Sequence, residues 1–228
     1  MNKLSLVIFD MDGLLLDTET ISLAAWKKSF RNYNINIDVE KLFFSKILGS
    51  NETSIKNTIM KISNIDNEKI FYDMINNQIE EAFNIVKENG INIKKGAEEL
   101  ITFLNESNIK KAVATSSIKR KVDLYLEKTN LKERFDYIVC GDAVKHPKPY
   151  PDLYNNACNY FNADKNNVII LEDSKNGLLS AKNAYIEKRF YIPDLLLLSE
   201  EDEKELAYKK FNDLIEVKSY IENNFQCN

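Results

Sequence analysis

Apolar positions follow two different rhythms along this 228-residue chain. After about residue 94, short apolar runs alternate with amphipathic stretches. The pattern predicts helices over 97–106, 119–129 and 152–161, and strands over 110–115, 136–140 and 167–171. The strand runs KAVAT, DYIVC and NVIIL are rich in β-branched or small apolar residues, as expected for a parallel sheet covered on both faces. With a first strand at 4–9 they predict an α/β fold, a doubly wound parallel sheet.

Between that first strand and the alternating series the spacing becomes helical. Leu23, Trp26, Phe30 and Tyr33 form one stripe, Ile55, Ile59 and Ile62 a second, and Ile75, Ile79, Ala82 and Val86 a third. Residues 18–92 are therefore expected to form a compact helical insertion, a cap, with 1–17 and 93–228 forming the core. The return passes through ENGINIKKG, where Gly90 and Gly96 mark the turns. Further on, KRFYIP reads as a strand, SEEDEKELAY as an exposed acidic helix with a solvated face, and FNDLIEVKSYIENN as a short strand or turn followed by a last helix.

Composition narrows the partners. A hydrophobic content of 44%, a charged content of 29% and a net charge of -4 describe a globular chain with no basic field to hold nucleic acid or an anionic membrane. Met1 leads almost at once into the first strand with no signal-peptide pattern, and LLLL at 195–198 is too short to span a bilayer, so the expected location is cytoplasmic. Cys140, Cys158 and Cys227 are odd in number and far apart, which argues against a disulfide framework or a thiolate metal site. His146, the only histidine, leaves few routes to a histidine triad or zinc site and reads as structural. The chemistry must come from carboxylates, hydroxyls and amines acting on a small partner.

In open α/β sheets ligands gather at the carboxyl ends of the strands. Val7, Ile8 and Phe9 lead into Asp10 and Asp12. The strand at 110–115 ends in Thr115, followed by Ser116 and Ser117, and the strand at 167–171 gives way to Glu172, Asp173 and Ser174. Lys148, in HPKPYPD, opens a loop-to-helix junction. Adjacent strands lie about 4.8 Å apart, so these side chains can converge on one ligand. Asp10, Asp173 and a backbone carbonyl would supply the all-oxygen environment that Mg²⁺ favours, and Mg²⁺ with Lys148 would let Asp10 stay ionised. Strand alternation would put Asp10 and Asp12 on one side and turn Met11 away.

Together DMDGLLLDT, the strand-end Thr115, the KPYPD lysine and EDSKNG resemble the haloacid dehalogenase superfamily over nearly the whole chain. Its fold would be a Rossmann-like core. The helical insertion resembles the cap of the subclass that holds phosphoglycolate-type phosphatases, small sugar-phosphate phosphatases and β-phosphoglucomutase. The resemblance implies that Asp10 is a nucleophile forming an aspartyl-phosphate and that Asp12 is the acid, then the base. Gly13 would let the chain turn sharply. Thr115, Ser116, Ser117 and helix-start amides would bind the phosphoryl group, with Lys148 neutralising it. Asp10, the Asp12 carbonyl and Asp173 would ligate Mg²⁺, and Glu172 would bind it directly or hold one of its waters.

Taken singly, these residues also have ordinary readings: DxDG as an acidic turn, Thr115 as a helix cap, Lys148 as a solvated lysine, and SKNG as an N-cap with a tolerated glycine. Asp17 and Thr18 read as a hinge or as a simple N-cap. Within the superfamily, the acid at position 12 favours phosphate monoester chemistry. Ser22 stands where β-phosphoglucomutases carry a histidine, and Leu48 and Asn51 replace their basic and polar contacts, which weighs against a mutase. Gly49, Ser50 and Asn51 form the candidate substrate loop of the cap, or an ordinary helix-start turn. Tyr185 stands near a position where related chains commonly have glycine. The expectation is a Mg²⁺-dependent phosphatase of a small sugar or polyol phosphate, monomeric or weakly dimeric. The alternatives are a phosphomutase or a non-catalytic phosphate-binding regulator.

Overall fold

The structure is a computed structural model that describes residues 2–50, 52–63 and 66–226. The chain divides into two compact units, Met1–Asp17 with Asn92–Asn228, and Thr18–Ile91. Asn92 falls in the first unit because its carbonyl accepts the Asp17 amide at 2.9 Å, next to a bridge between Leu16 and Ile93.

In chain order the elements begin with β1 (Asn2–Lys3) and β2 (Leu6–Phe9). The second unit follows, with α1 (Thr18–Asn32), α2 (Val39–Leu42), a π-helical turn at Phe43–Ile47, α3 (Glu52–Ser63) and α4 (Glu68–Asn89). The chain then returns through α5 (Ala97–Glu106), β3 (Lys110–Ala114), α6 (Lys119–Lys128), β4 (Tyr137–Val139), α7 (Asp152–Tyr160), β5 (Val168–Glu172) and α8 (Lys175–Asn183). It closes with β6 (Lys188–Tyr191), α9 (Glu200–Leu206), β7 (Lys209–Lys210), α10 (Leu214–Asn224) and β8 (Phe225–Gln226).

Six strands form one parallel sheet in the order β4-β3-β2-β5-β6-β7. Both faces are covered. Leu6, Ile8, Ala112, Ala114, Val168 and Ile170 pack under α7 and α8, and the alternate residues Val7, Phe9, Val113, Ile169 and Leu171 are also fully buried. This explains why the strands read as continuous apolar runs. The order runs outward from β2 in both directions, so β2 is the topological switch point and its carboxyl end opens the crevice where such sheets bind ligands.

Several boundaries differ from the sequence expectation. The first strand begins at Leu6 rather than at residue 4, and Asn2–Lys3 pairs separately with Phe225–Gln226. The acidic helix is not merely solvated: Asp202, Glu203 and Glu205 pair with Lys175, Lys210 and Lys182 at 2.7–2.8 Å and pin α9 to its neighbours.

In the second unit, Trp26 and Phe30 of α1 pack with Phe43, Ile47, Ile59, Phe71 and Met74, joined by Leu23, Tyr33, Ile55 and Ile75. Ile62 and Ile79, expected in the same stripes, are exposed, although Ile59, Ala82 and Val86 of those stripes are buried. Among the described residues no helix is long and apolar enough to cross a membrane.

Candidate active site

β2 ends at Phe9, one residue before Asp10, whose amide continues the sheet by donating to Leu171 O at 3.0 Å. The chain then turns. Met11 is fully buried and its carbonyl accepts the amides of Leu15 and Leu16, while Asp12 bridges Leu16. The regular strand ends at Phe9, so alternation alone does not set where Asp12 lies. The turn does so, and it needs Gly13: φ is +78°, and a Cβ there would run into the Asp173 carboxylate.

Lys148 is buried and bridges two carboxylates, with Nζ 2.5 Å from Asp10 Oδ1 and 2.6 Å from Glu172 Oε1. It also lies 5.0 Å from the centre of the Tyr154 ring. Burial opposes the Lys148 charge, but Asp10 and Glu172 outweigh it, and the ammonium is held above the usual lysine range. Burial pushes the Asp10 carboxyl up to about 7; Lys148 works against the rise, while Glu172 and Asp12 add to it. Asp173 is raised well above the carboxylate range, first by burial and then by Glu172 and Asp10.

Glu172 is fully buried and fully engaged. Oε1 accepts from Lys148 Nζ and the Tyr154 hydroxyl at 2.6 Å each, and Oε2 accepts from Ser174 Oγ at 3.0 Å and Ser174 N at 3.3 Å. Ser174 also caps α8 by accepting Gly177 N at 3.1 Å. Gly177 is more than a tolerated helix glycine, because a Cβ on it would occupy the space of the Glu172 carboxylate.

Asp12 has donors of its own. Oδ1 accepts from Lys121 Nζ at 2.6 Å, and Oδ2 accepts from Ser117 Oγ at 2.6 Å and Thr115 Oγ1 at 3.3 Å. Thr115 Oγ1 in turn accepts Ser117 N at 3.0 Å. Thr115 is thus a brace for Asp12 rather than a helix cap; the α6 N-cap is Ile118, with no side-chain capping bond, and Lys119 N goes to Asp142. The Ser117 and Lys119 amides, expected to face a phosphoryl group, are taken within the protein. Ser116 is exposed.

Gly49, with φ +72°, and Ser50, whose amide donates to Ile47 O, follow the π-helical turn of the helical unit. Gly49 lines a cavity of about 330 Å³ there with Ser22, Leu48 and Trp26. Asn51 lies outside the described residues, as does Cys227. Cys140 and Cys158 are buried free thiols. His146 Nδ1 sits 3.3 Å from Asp152 Oδ2, which also accepts the His146 amide, so it staples the Lys148 loop to α7.

One carboxylate oxygen from each of Asp10, Glu172 and Asp173 lies within 4.8 Å of the other two. No hydrogen bond or ion pair from the described residues reaches the Asp173 carboxylate, and one lysine serves the other two acids. Three hard oxygen donors with too little positive charge among them suit a hard divalent cation. Sequence reasoning missed four contributors: Tyr154, Gly177, Lys121 and Asp194. Asp194 carries a signal in the sequence, since it follows the carboxyl end of β6.

The sequence model of the haloacid dehalogenase-like hydrolases matches residues 7–189. The chain belongs to this family. A phosphorylated carbohydrates phosphatase from Thermotoga maritima is 32% identical over 184 residues, covering 80% of this chain and 82% of that one. A (DL)-glycerol-3-phosphatase from Arabidopsis thaliana is 29% identical over 187 residues, covering 78% and 75%. A crystal structure from Thermotoga maritima, provisionally named a beta-phosphoglucomutase, superposes with a TM-score of 0.82 at 26% identity, covering 97% of this chain and all of that one. Within the family frame, the strand-end acids and Lys148 occupy one site at the switch point of the sheet.

Proposed function

We propose that this haloacid dehalogenase-like hydrolase is a Mg²⁺-dependent phosphomonoesterase of a small sugar or polyol phosphate, working through an aspartyl-phosphate. The observation that carries the reading is Lys148 buried between Asp10 and Glu172, with Asp173 beside them and Asp12 held separately by Lys121, Ser117 and Thr115. The names of the Thermotoga and Arabidopsis relatives support the substrate class.

In this reading an Asp10 carboxylate oxygen attacks phosphorus, forming a P–O bond while the bond to the substrate alcohol breaks. Asp12 gives its proton to the departing oxygen. A water then attacks the aspartyl-phosphate and loses a proton to Asp12, and the Asp10–phosphorus bond breaks to release phosphate. Asp12 accepts from three donors as a carboxylate, so to carry the proton it must release at least one of them; Lys121 and the two hydroxyls are in a position to yield. Lys148 neutralises the nucleophile and the transferring group throughout. Asp10, Asp173 and the Asp12 carbonyl would hold Mg²⁺, which supplies charge neutralisation for the phosphoryl oxygens.

The test is phosphate release across a panel of phosphorylated metabolites, with and without Mg²⁺. Asp10→Asn should lower turnover on the best substrate by a factor on the order of 10⁴ or more; undiminished turnover in that variant sinks the reading. A mutase would instead convert a sugar 1-phosphate to its 6-phosphate when primed with a bisphosphate, so product analysis by phosphorus NMR separates the two. Ser22, which lines the apolar cavity of the helical unit, offers no proton-transfer group for that reaction near neutrality.

A further inference from the structure

Asp194 lies three residues beyond β6, in Ile192-Pro193-Asp194, and its side chain is 8% exposed. Oδ1 accepts from Lys94 Nζ at 2.5 Å. Oδ2 is buried and has no hydrogen-bond partner. A carboxylate oxygen taken out of water with nothing to accept from is costly, and a native structure keeps one where a donor is to be supplied.

The orphan oxygen opens on a particular place. A Cβ at Gly13 would come within 3.1 Å of Asp194 Oδ2 and would collide with the Asp173 carboxylate, so both acids face the same small space that a glycine keeps clear. Asp173 belongs to the trio whose oxygens converge within 4.8 Å. The charge of Asp194 is one of the influences that raise Asp173. Two acid groups cannot satisfy each other without a proton or a cation between them. A water ordered by a divalent cation offers its hydrogens outward and its oxygen to the metal, and fits between them.

We propose that Asp194 is a positioning residue of the cation site, its Oδ2 accepting a hydrogen bond from a water in the coordination sphere of a divalent cation held by Asp10 and Asp173. Lys94 then has a supporting role: it orients Asp194 through Oδ1 and leaves Oδ2 to the water. The inference rests on the proposed Mg²⁺ dependence, and the experiment separates the two.

Mg²⁺ is titrated calorimetrically into the full-length protein, its Asp194→Asn variant and its Lys94→Met variant at one pH, with no substrate present. Asp194→Asn, which can still accept from Lys94, should weaken Mg²⁺ binding about tenfold to a hundredfold. Lys94→Met, which breaks the ion pair but keeps the carboxylate, should change it less than about threefold. If Asp194→Asn alone does not fold, the double variant, which leaves no unpaired charge behind, must show the same loss relative to Lys94→Met. Parent-like affinity in Asp194→Asn, or equal losses in the two single variants, overturns the assignment and makes Asp194 a tether for its loop. A parent protein that binds no divalent cation overturns the metal dependence and this inference together.

Discussion

Replacing Gly177 with alanine sets two effects of opposite sign against each other. Gly177 is the third residue of α8, where alanine is favoured over glycine by up to about 1 kcal/mol on helix propensity alone. Against this, the new Cβ would fall within the Glu172 carboxylate. Glu172 has nowhere to go: it is fully buried, Lys148 and Tyr154 hold one oxygen, and Ser174 holds the other. Overpacking of this kind costs about 1–3 kcal/mol. If Glu172 withdraws instead, it gives up charge-assisted hydrogen bonds worth about 1.5–3 kcal/mol each. The clash wins, and Gly177→Ala should be destabilised by about 2 kcal/mol.

With a urea m-value of roughly 3 kcal/mol per molar, the unfolding midpoint of Gly177→Ala should fall by about 0.7 M, followed by far-UV circular dichroism. Phosphate release should fall as well, because displacing Glu172 loosens its grip on Lys148. A midpoint equal to or above the parent's, as propensity alone would give, refutes the picture of Glu172 as a clamped group. In the double variant Glu172→Ala/Gly177→Ala the cost of the added methyl should largely disappear, because the two positions share one space.

Three further outcomes follow from other parts of the fold. Tyr185 is 88% exposed and ends α8 with φ +59°, a conformation that costs a non-glycine residue about 1–2 kcal/mol. After the entropy that glycine loses on folding, Tyr185→Gly should gain about 0.5–1 kcal/mol and raise Tm by a few degrees, and an unchanged or lower Tm in calorimetry counts against it. Asp10, pushed up to about 7 chiefly by burial, is protonated below that pH and cannot then ligate a cation. Mg²⁺ affinity should therefore weaken by up to about tenfold per unit as pH falls below about 7 and level off above it; flat affinity from pH 5 to 8 by calorimetry refutes the competition. Burial pushes the Cys158 thiol up to about 11, so iodoacetamide at pH 8 should leave its peptide unmodified by mass spectrometry until the protein unfolds.

The sheet was legible because fully buried parallel strands are short, apolar and β-branched, and the site because polar residues at successive strand ends stand out against such runs. What stayed hidden depends on distances that only packing sets. Gly177 looks like any helix glycine until α8 brings it against Glu172. Thr115 looks like a helix cap until the turn after β2 delivers Asp12 to its hydroxyl. Lys121 reads as one more cation in IKRK, and Tyr154 as a core aromatic, until each meets a carboxylate at 2.6 Å. Tyr185 shows the converse: its side chain gives no hint of a left-handed residue, yet α8 ends there all the same, with Ile186 N closing on Ala181 O.

The way donors are shared among the acids suggests why the site tolerates so many of them. Asp12 has Lys121 and two hydroxyls, Asp10 and Glu172 share Lys148, and Asp194 has Lys94 on one of its oxygens. Asp12 and Asp194 thus have cations of their own, whereas Asp10 and Glu172 depend on one. Asp173 is the exception, with no hydrogen-bond or ion-pair partner among the described residues, and it stands between the trio and the orphan oxygen of Asp194. Uneven pairing of this kind does little for an apo protein, since the unsatisfied charge weakens the fold. It becomes useful when a cation arrives, because the binding energy is then concentrated on the residues that have no other partner. A protein built this way should gain more stability from Mg²⁺ than from monovalent salt at equal ionic strength.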